Sequence, residues 1–118
     1  MILVDSSIWV EHFRSGHRSL SELLEAETVL THPFVIGELA CAQLRNRGEV
    51  LALLAKLPSA RVAEHDDVLA FVALNRVHGR GIGWIDAHLL ASALLSSAGL
   101  MTLDRPLSKL ASIVGVAS

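Results

Sequence analysis

Four acids stand in apolar surroundings that give them no local reason to carry charge. Asp5 ends the run MILVD, Asp104 follows GLMTL, Asp86 opens DAHLLASALL, and Glu38 lies inside PFVIGELACAQL. At helical spacing Glu38 meets Phe34, Val35, Cys41 and Ala42, and Asp86 meets Ile82, Gly83, Leu89 and Leu90. Neither set contains a Lys or Arg, and an unpaired carboxylate on such a surface is costly unless something compensates it. Carboxylates are hard oxygen donors, so a group of them without Cys or His suits Mg²⁺ or Mn²⁺ rather than zinc. The plain alternative is local. Asp5, Asp86 and Asp104 each fit a helix N-cap, and Glu38 fits the outer face of a helix. Glu22, Glu25, Glu27, Glu49 and Glu64 lie in polar or terminal stretches and read as solvated.

Other chemistries find little support. The glycine loop HGRGIGW fails the dinucleotide fingerprint, because Trp84 stands where the third glycine belongs and the loop follows a helix rather than a strand. The six histidines form no H-E-x-x-H, and no serine sits in G-x-S-x-G. Cys41 is the only cysteine, which excludes an internal disulfide and a cysteine-based zinc site. Trp9 and Trp84 read as packing residues, with Trp84 close enough to Asp86 to line a site.

The elements that must position the acids alternate between strand and helix. Ile2–Val4 reads as a buried strand and Ser6 to Arg14 as a helix, followed by a short helix over Ser19–Ala26 and a strand over Thr28–Thr31. Pro33 fits the first turn of a helix running to about Arg45. A further helix follows Gly48 and ends at Pro58, and Ala60–Ala63 is a candidate strand. Asp66 and Asp67 mark a helix N-terminus, with the helix reaching His78. Gly79, Gly81 and Gly83 form a loop, Asp86 to Ser97 a long apolar helix ended by Gly99, and Leu100–Leu103 a strand. Leu107–Ala111 is a short helix, and the apolar run Ile113–Val116 closes the pattern. Such alternation predicts an α/β fold with a parallel sheet covered on both faces. Asp5 and Asp104 then fall at carboxyl ends of strands, the edge where open parallel sheets bind ligands.

Composition sets the remaining bounds. The 118 residues are 52% hydrophobic and 19% charged, which excludes intrinsic disorder and fits one domain over residues 1–118. A domain of this size hides only roughly 65% of its unfolded surface, so apolar area is left over for a partner or a second copy. A formal charge of −2 provides no general basic field, and any polyanion must meet a local patch. MILVDSSIWV lacks the basic start of a signal peptide. The charge-free stretch Ala87 to Leu103 falls short of the roughly 20 apolar residues of a membrane span. Both point to the cytoplasm, with no membrane partner.

Four segments, MILVDSSIW, the helix carrying E-L-A, GIGWIDAHLLASAL and LMTLDRPLSKLA, resemble the PIN-domain family, and within it the VapC toxins of bacterial toxin–antitoxin operons. The resemblance spans essentially the whole chain in the expected order. It implies a three-layer α/β/α sandwich with a short central parallel sheet and a catalytic quartet of Asp5, Glu38, Asp86 and Asp104. It also implies supporting hydroxyls at Ser6 and Thr102. The activity it implies is endoribonuclease: hydrolysis of an RNA phosphodiester to a 3′-hydroxyl and a 5′-phosphate. Asp5, Asp86 and Asp104 would hold Mg²⁺ or Mn²⁺, with Glu38 orienting or deprotonating the attacking water. Arg14, Arg45, Arg80 and Arg105 are candidate phosphate contacts, each equally an ordinary surface residue. A homodimer and a VapB-like antitoxin follow from the same resemblance.

Two other readings stand beside it. A receiver-type signalling domain has similar size and an acidic magnesium pocket at its strand ends. It needs adjacent acids after the first strand and a lysine near the last, whereas Asp5 precedes two serines and neither Lys56 nor Lys109 fits. An inactive PIN scaffold that only binds a partner is the other.

Overall fold

The apolar triplet Ile2–Val4 forms the central strand β1, and the computed structural model, which describes residues 1–118, builds every layer around it. Helices α1 (Ser6–Ser15) and α2 (Arg18–Glu25) lead to β2 (Val29–Leu30). Helices α3 (Pro33–Cys41), α4 (Arg47–Lys56), α5 (His65–Asn75) and α6 (Trp84–Leu95) come before β3 (Gly99–Met101), and α7 (Arg105–Val114) follows it. The sheet is parallel in the order β2-β1-β3, with Ile2 beside Val29 and Gly99, Leu3 beside Leu30 and Leu100, and Val4 beside Met101. The predicted parallel α/β arrangement, a short sheet flanked by helices, is therefore the observed one.

Leu3 and Val4 are wholly buried, as a strand covered on both faces requires. The core continues through Ile8 and Trp9 of α1, Leu39 of α3, Leu89 and Leu90 of α6 and Leu107 of α7. Every residue from Ala87 to Ala93 is buried, because α6 packs on β1, β3, α5 and α7 together. That explains a helix apolar nearly all round.

Topology brings the carboxyl ends of all three strands to one edge. Helix α1 leaves β1 there, α7 leaves β3 there, and α3 begins just past β2 through Thr31 and His32. Helix α6 runs back toward the start of β3, so its first turn lies at the same edge. Asp5, Asp86 and Asp104 ride on three of these helix starts, and Glu38 lies in the second turn of α3.

Several boundaries differ from the sequence expectation. Ala60–Ala63 is not a strand: beyond a bridge between Thr31 and Ser59, its amides turn to serines of α6 and the residue that caps it. Arg61 N–H donates to Ser96 Oγ at 2.8 Å, and Ala63 N–H to Ser92 Oγ at 3.3 Å. Helix α3 stops at Cys41 rather than Arg45, where Arg47 Nε donates to the Ala40 carbonyl and Asn46 turns left-handed. Helix α5 ends at Asn75, before His78, through left-handed Arg76. Helix α6 starts at Trp84, which makes Asp86 its third residue rather than its cap, and left-handed Ser97 frees Gly99 to open β3. Asp104 and Pro106 start α7 early, and the helix absorbs Ile113 and Val114.

Helix α3 is fastened at its start by a buried histidine. His32 Nδ1 accepts the Phe34 N–H at 3.0 Å, so the ring proton sits on Nε2, which donates to Ser92 Oγ at 3.1 Å. Burial, reinforced by His88, pushes the His32 pKa from 6.5 down to about 4. A lowered pKa means that the unfolded chain takes up the proton first, so the stabilisation is whole above pH 6.5 and is lost as pH falls toward 4. We expect the melting temperature to drop over that window by roughly 10 °C more in the parent than in His32→Asn, which keeps a capping oxygen. Parallel pH–melting profiles for the two chains would remove His32 as the cause.

Candidate active site

Asp5 is the best-anchored of the four acids. Its backbone N–H extends the β1–β3 ladder by donating to the Met101 carbonyl at 2.9 Å, and the residue is only 5% exposed. As N-cap of α1 it accepts the Ser6 N–H on Oδ1 at 2.8 Å. Its other oxygen, Oδ2, accepts the hydroxyls of Ser7 at 2.8 Å and Thr102 at 2.7 Å. Each hydroxyl also accepts an amide from the segment after β3. Leu103 N–H donates to Ser7 Oγ and Asp104 N–H to Thr102 Oγ1, both at 3.0 Å. The two oxygens lie 3.3 Å apart. A compact network thus ties the end of β1 to the segment that presents Asp104.

The remaining acids surround this network. Asp104 caps α7, its Oδ2 accepting the Leu107 N–H at 3.0 Å. Asp86, in the first turn of α6, reaches back so that Oδ2 accepts the Gly83 N–H at 3.4 Å. Glu38, farther along α3, accepts the Ser6 hydroxyl on Oε1 at 3.2 Å. Thr102 thus supports Asp5, and Ser6 bridges toward Glu38.

Ser7 is the residue that sequence reasoning missed. Its only signal was a second hydroxyl directly after Ser6, and nothing local showed that it would meet Thr102 across the sheet edge.

Electrostatics link all four carboxylates. Burial raises the Glu38 pKa, the Ser6 hydrogen bond works against the rise, and the charges of Asp5 and Asp86 add to it. Burial likewise raises Asp86, the Gly83 N–H opposes, and Asp5 and Asp104 add. No cation is among the groups that act on either acid. As the side chains stand, no three acids, histidines or cysteines are close enough to enclose a metal ion. The donor set nonetheless suits a hard divalent cation: only carboxylates and hydroxyls, with neighbouring negative charge opposing the ionisation of Glu38 and Asp86.

The arginines lie outside this network. Arg14, Arg45, Arg80 and Arg105 are exposed. Arg105 directly follows Asp104, Arg80 sits in the glycine loop before α6, and Arg45 lies between α3 and α4. Arg14 is nine residues along α1 from Asp5, roughly 13 Å along the helix axis. His88, two residues after Asp86, points into the core and packs edge-on between the rings of Phe34 and Trp84, each 4.7 Å away. Burial lowers its pKa and keeps it neutral.

Residues 2–113 match the model of the PIN domain. The chain is 46% identical to Ribonuclease VapC32 of Mycobacterium tuberculosis, in strains CDC 1551 / Oshkosh and ATCC 25618 / H37Rv. In each case the alignment covers 99% of this chain and 95% of the relative.

The hydroxyl network yields a stability test. Ser7→Ala removes a donor from a buried carboxylate and the acceptor of the Leu103 amide, so it should cost about 1–3 kcal/mol in urea unfolding. Ser6→Ala, which loses only two longer bonds, 3.2 Å to the exposed Glu38 and 3.5 Å to Asp5, should cost under about 0.5 kcal/mol. Equal losses in the two variants would mean that Ser7 does not carry the link between the strand ends.

Proposed function

Because the chain belongs to the PIN-domain family, we propose that it is a metal-dependent endoribonuclease, the toxin of a toxin–antitoxin pair, working as a single PIN-like domain over residues 1–118. The observation that carries this reading is the gathering of carboxylates near one sheet edge, where the charges of Asp5, Asp86 and Asp104 oppose the ionisation of Glu38 or Asp86 and no protein cation relieves either. The 46% identical relative bears the name of a ribonuclease, which points the same way. With the family known, the receiver-type alternative falls away.

A bound Mg²⁺ or Mn²⁺ supplies Lewis acidity, lowering the pKa of water and offsetting charge on the scissile phosphate. In this reading Asp5, Asp86 and Asp104 would hold the ion, as hard oxygen donors suited to magnesium. Glu38 has the hydroxyl of Ser6 on one oxygen and a raised pKa, which suits a group that orients the attacking water and takes its proton. Ser7 and Thr102 hold Asp5 in place. Arg14, Arg45, Arg80 and Arg105, all exposed, are the candidates for RNA phosphates.

Partners follow from the same reading: an RNA substrate, a VapB-like antitoxin and a second copy of the chain. Exposed Leu69, Leu74, Leu94, Leu95 and Ile113 offer apolar area for such contacts. No helix is long and apolar enough to cross a membrane. The proposed place of action is the cytoplasm, where the RNA is.

Catalysis is tested by expressing the chain and its Asp5→Asn form and mapping new 5′ ends across cellular RNA. We expect metal-dependent cleavage to fall at least 100-fold in Asp5→Asn, Asp86→Asn and Asp104→Asn, and to change little in Glu22→Gln or Glu49→Gln. Undiminished cleavage by Asp5→Asn would show that the site lies elsewhere. No metal-dependent cleavage by the parent would leave the inactive scaffold.

Metal binding can be read without RNA. A carboxyl whose folded pKa is raised stabilises the fold fully below its unfolded pKa and loses that contribution as pH rises through the folded value. Asp86→Asn removes this neutral-pH cost, so in chelator it should melt at or above the parent. Millimolar Mn²⁺ should then raise the parent's melting temperature with the logarithm of concentration and leave Asp86→Asn nearly unmoved. Equal metal-induced shifts in the two chains would exclude Asp86 from the ion.

A further inference from the structure

An open groove runs between α3 and the start of α6, directly beside the carboxylates. Its volume is about 400 Å³, and its lining is Pro33, Phe34, Gly37, Glu38, Cys41 and Ile85. Glu38 belongs to both the groove and the acid cluster, so whatever lies in the groove touches the atoms proposed to handle the attacking water.

Three features suit this groove to a flat aromatic guest. The half-buried Phe34 ring is held from behind by His88 at 4.7 Å and 70° and by His32 at 5.3 Å and 58°, both of them buried. A ring fixed in this way loses little freedom when a second ring stacks on it. Pro33 and Ile85 are exposed apolar residues beside it, and the lining has no basic side chain that would recognise a phosphate.

Gly37 supplies the third feature. It sits inside α3, where glycine is disfavoured relative to alanine. Its backbone is ordinary helix rather than left-handed, and a Cβ built on it would meet nothing within 4 Å. The fold therefore has no steric use for a glycine there. What its missing side chain leaves open is the groove.

Resting on the ribonuclease reading, we propose that this groove is a nucleobase subsite. The base of a nucleotide next to the scissile bond lies over Gly37 and stacks on Phe34, while its phosphate faces the carboxylates. Stacking on an aromatic side chain is tolerant of base identity, because every base has a π-face. The groove thus holds single-stranded RNA in register, and pairing in a duplex denies it the base.

The single cysteine provides the probe, since Cys41 is exposed and forms part of the groove wall. Cys41 alkylation by iodoacetamide is followed in the cleavage-deficient Asp5→Asn chain in millimolar Mg²⁺. One arm adds a single-stranded RNA oligonucleotide, a second adds the same strand with abasic sites, and a third adds a co-expressed neighbouring protein. Separately, RNA affinity is measured for Gly37→Leu, which fills the groove while favouring the helix, and for Phe34→Ala.

The intact strand should slow alkylation at least fivefold and the abasic strand should not. Gly37→Leu should bind RNA five- to tenfold more weakly with a melting temperature at or above that of its background. Equal protection by the abasic strand, protection by the protein alone, or unchanged affinity in both Gly37→Leu and Phe34→Ala would overturn the subsite. None of those results touches the ribonuclease reading, which stands or falls on metal-dependent cleavage by the parent. A parent that cleaves no RNA removes both.

Discussion

The carboxylate of Asp5 accepts hydrogen bonds from the start of α1 and from the segment after β3, and the arrangement of the whole sheet edge depends on it. Ser6 N–H, Ser7 Oγ and Thr102 Oγ1 all donate to it within 2.8 Å. The two hydroxyls pass the constraint on to the amides of Leu103 and Asp104. Burying an ionised carboxyl is expensive unless its lone pairs are filled. Here they are filled by groups that the neighbouring strand must bring to within hydrogen-bond distance. The cost of the charge and the register of β1 against β3 are therefore one constraint.

The parallel topology turns this local constraint into a site. Each strand ends at the same edge and hands over to a helix, or receives the start of one, at that edge. Leu3 and Val4 in the middle, and Leu89 and Leu90 on α6, drive the packing, but they do not choose where charges go. Asp5, Asp86 and Asp104 sit at the strand ends, where helix starts offer unpaired amides that their carboxylates accept. Glu38 and Asp86 oppose ionisation there, a local conflict within an otherwise consistent fold, and such conflicts mark functional sites.

What the sequence made legible follows the range of each interaction. The strand Ile2–Val4, the helix beginning at Ser6, the helix opened by Pro33 and the glycine loop depend on near neighbours, and they stand where periodicity and turn residues put them. The fold class followed from their alternation. Ala60–Ala63 has strand-like residues, but after the Ala60 amide bonds Thr31, those of Arg61 and Ala63 go to Ser96 and Ser92, more than twenty-five residues away, which no local pattern encodes. The end of α3 depends on a side chain beyond it, Arg47 reaching back to the Ala40 carbonyl. Ser7 was invisible for the same reason, since its partner Thr102 is 95 residues distant. The acids themselves could be picked out from their apolar neighbours, whereas their mutual influence required the fold.

Helix capping and membership of a site were alternatives in the sequence, and the structure makes them compatible. Asp5 and Asp104 are N-caps, and Asp86 binds an amide one turn before it. Each of these three carboxylates thus sits at the positive end of a helix, where the dipole and the unpaired N–H groups favour negative charge. Asp86 and Asp104 each commit one oxygen, Oδ2, to the backbone, which fixes the carboxyl plane and turns the other oxygen outward from that bond. The caps thereby lower the cost of gathering anions before any cation arrives. Glu38 lacks this support, for it lies in the second turn of α3, past the free amides, with Ser6 as its hydrogen-bond donor. Asp5 and Asp104 are fixed by helix ends, while burial and neighbouring charge leave both Glu38 and Asp86 readier to accept a proton. Of these two, Glu38 has no helix end to hold it, which suits the base beside a proposed ion site.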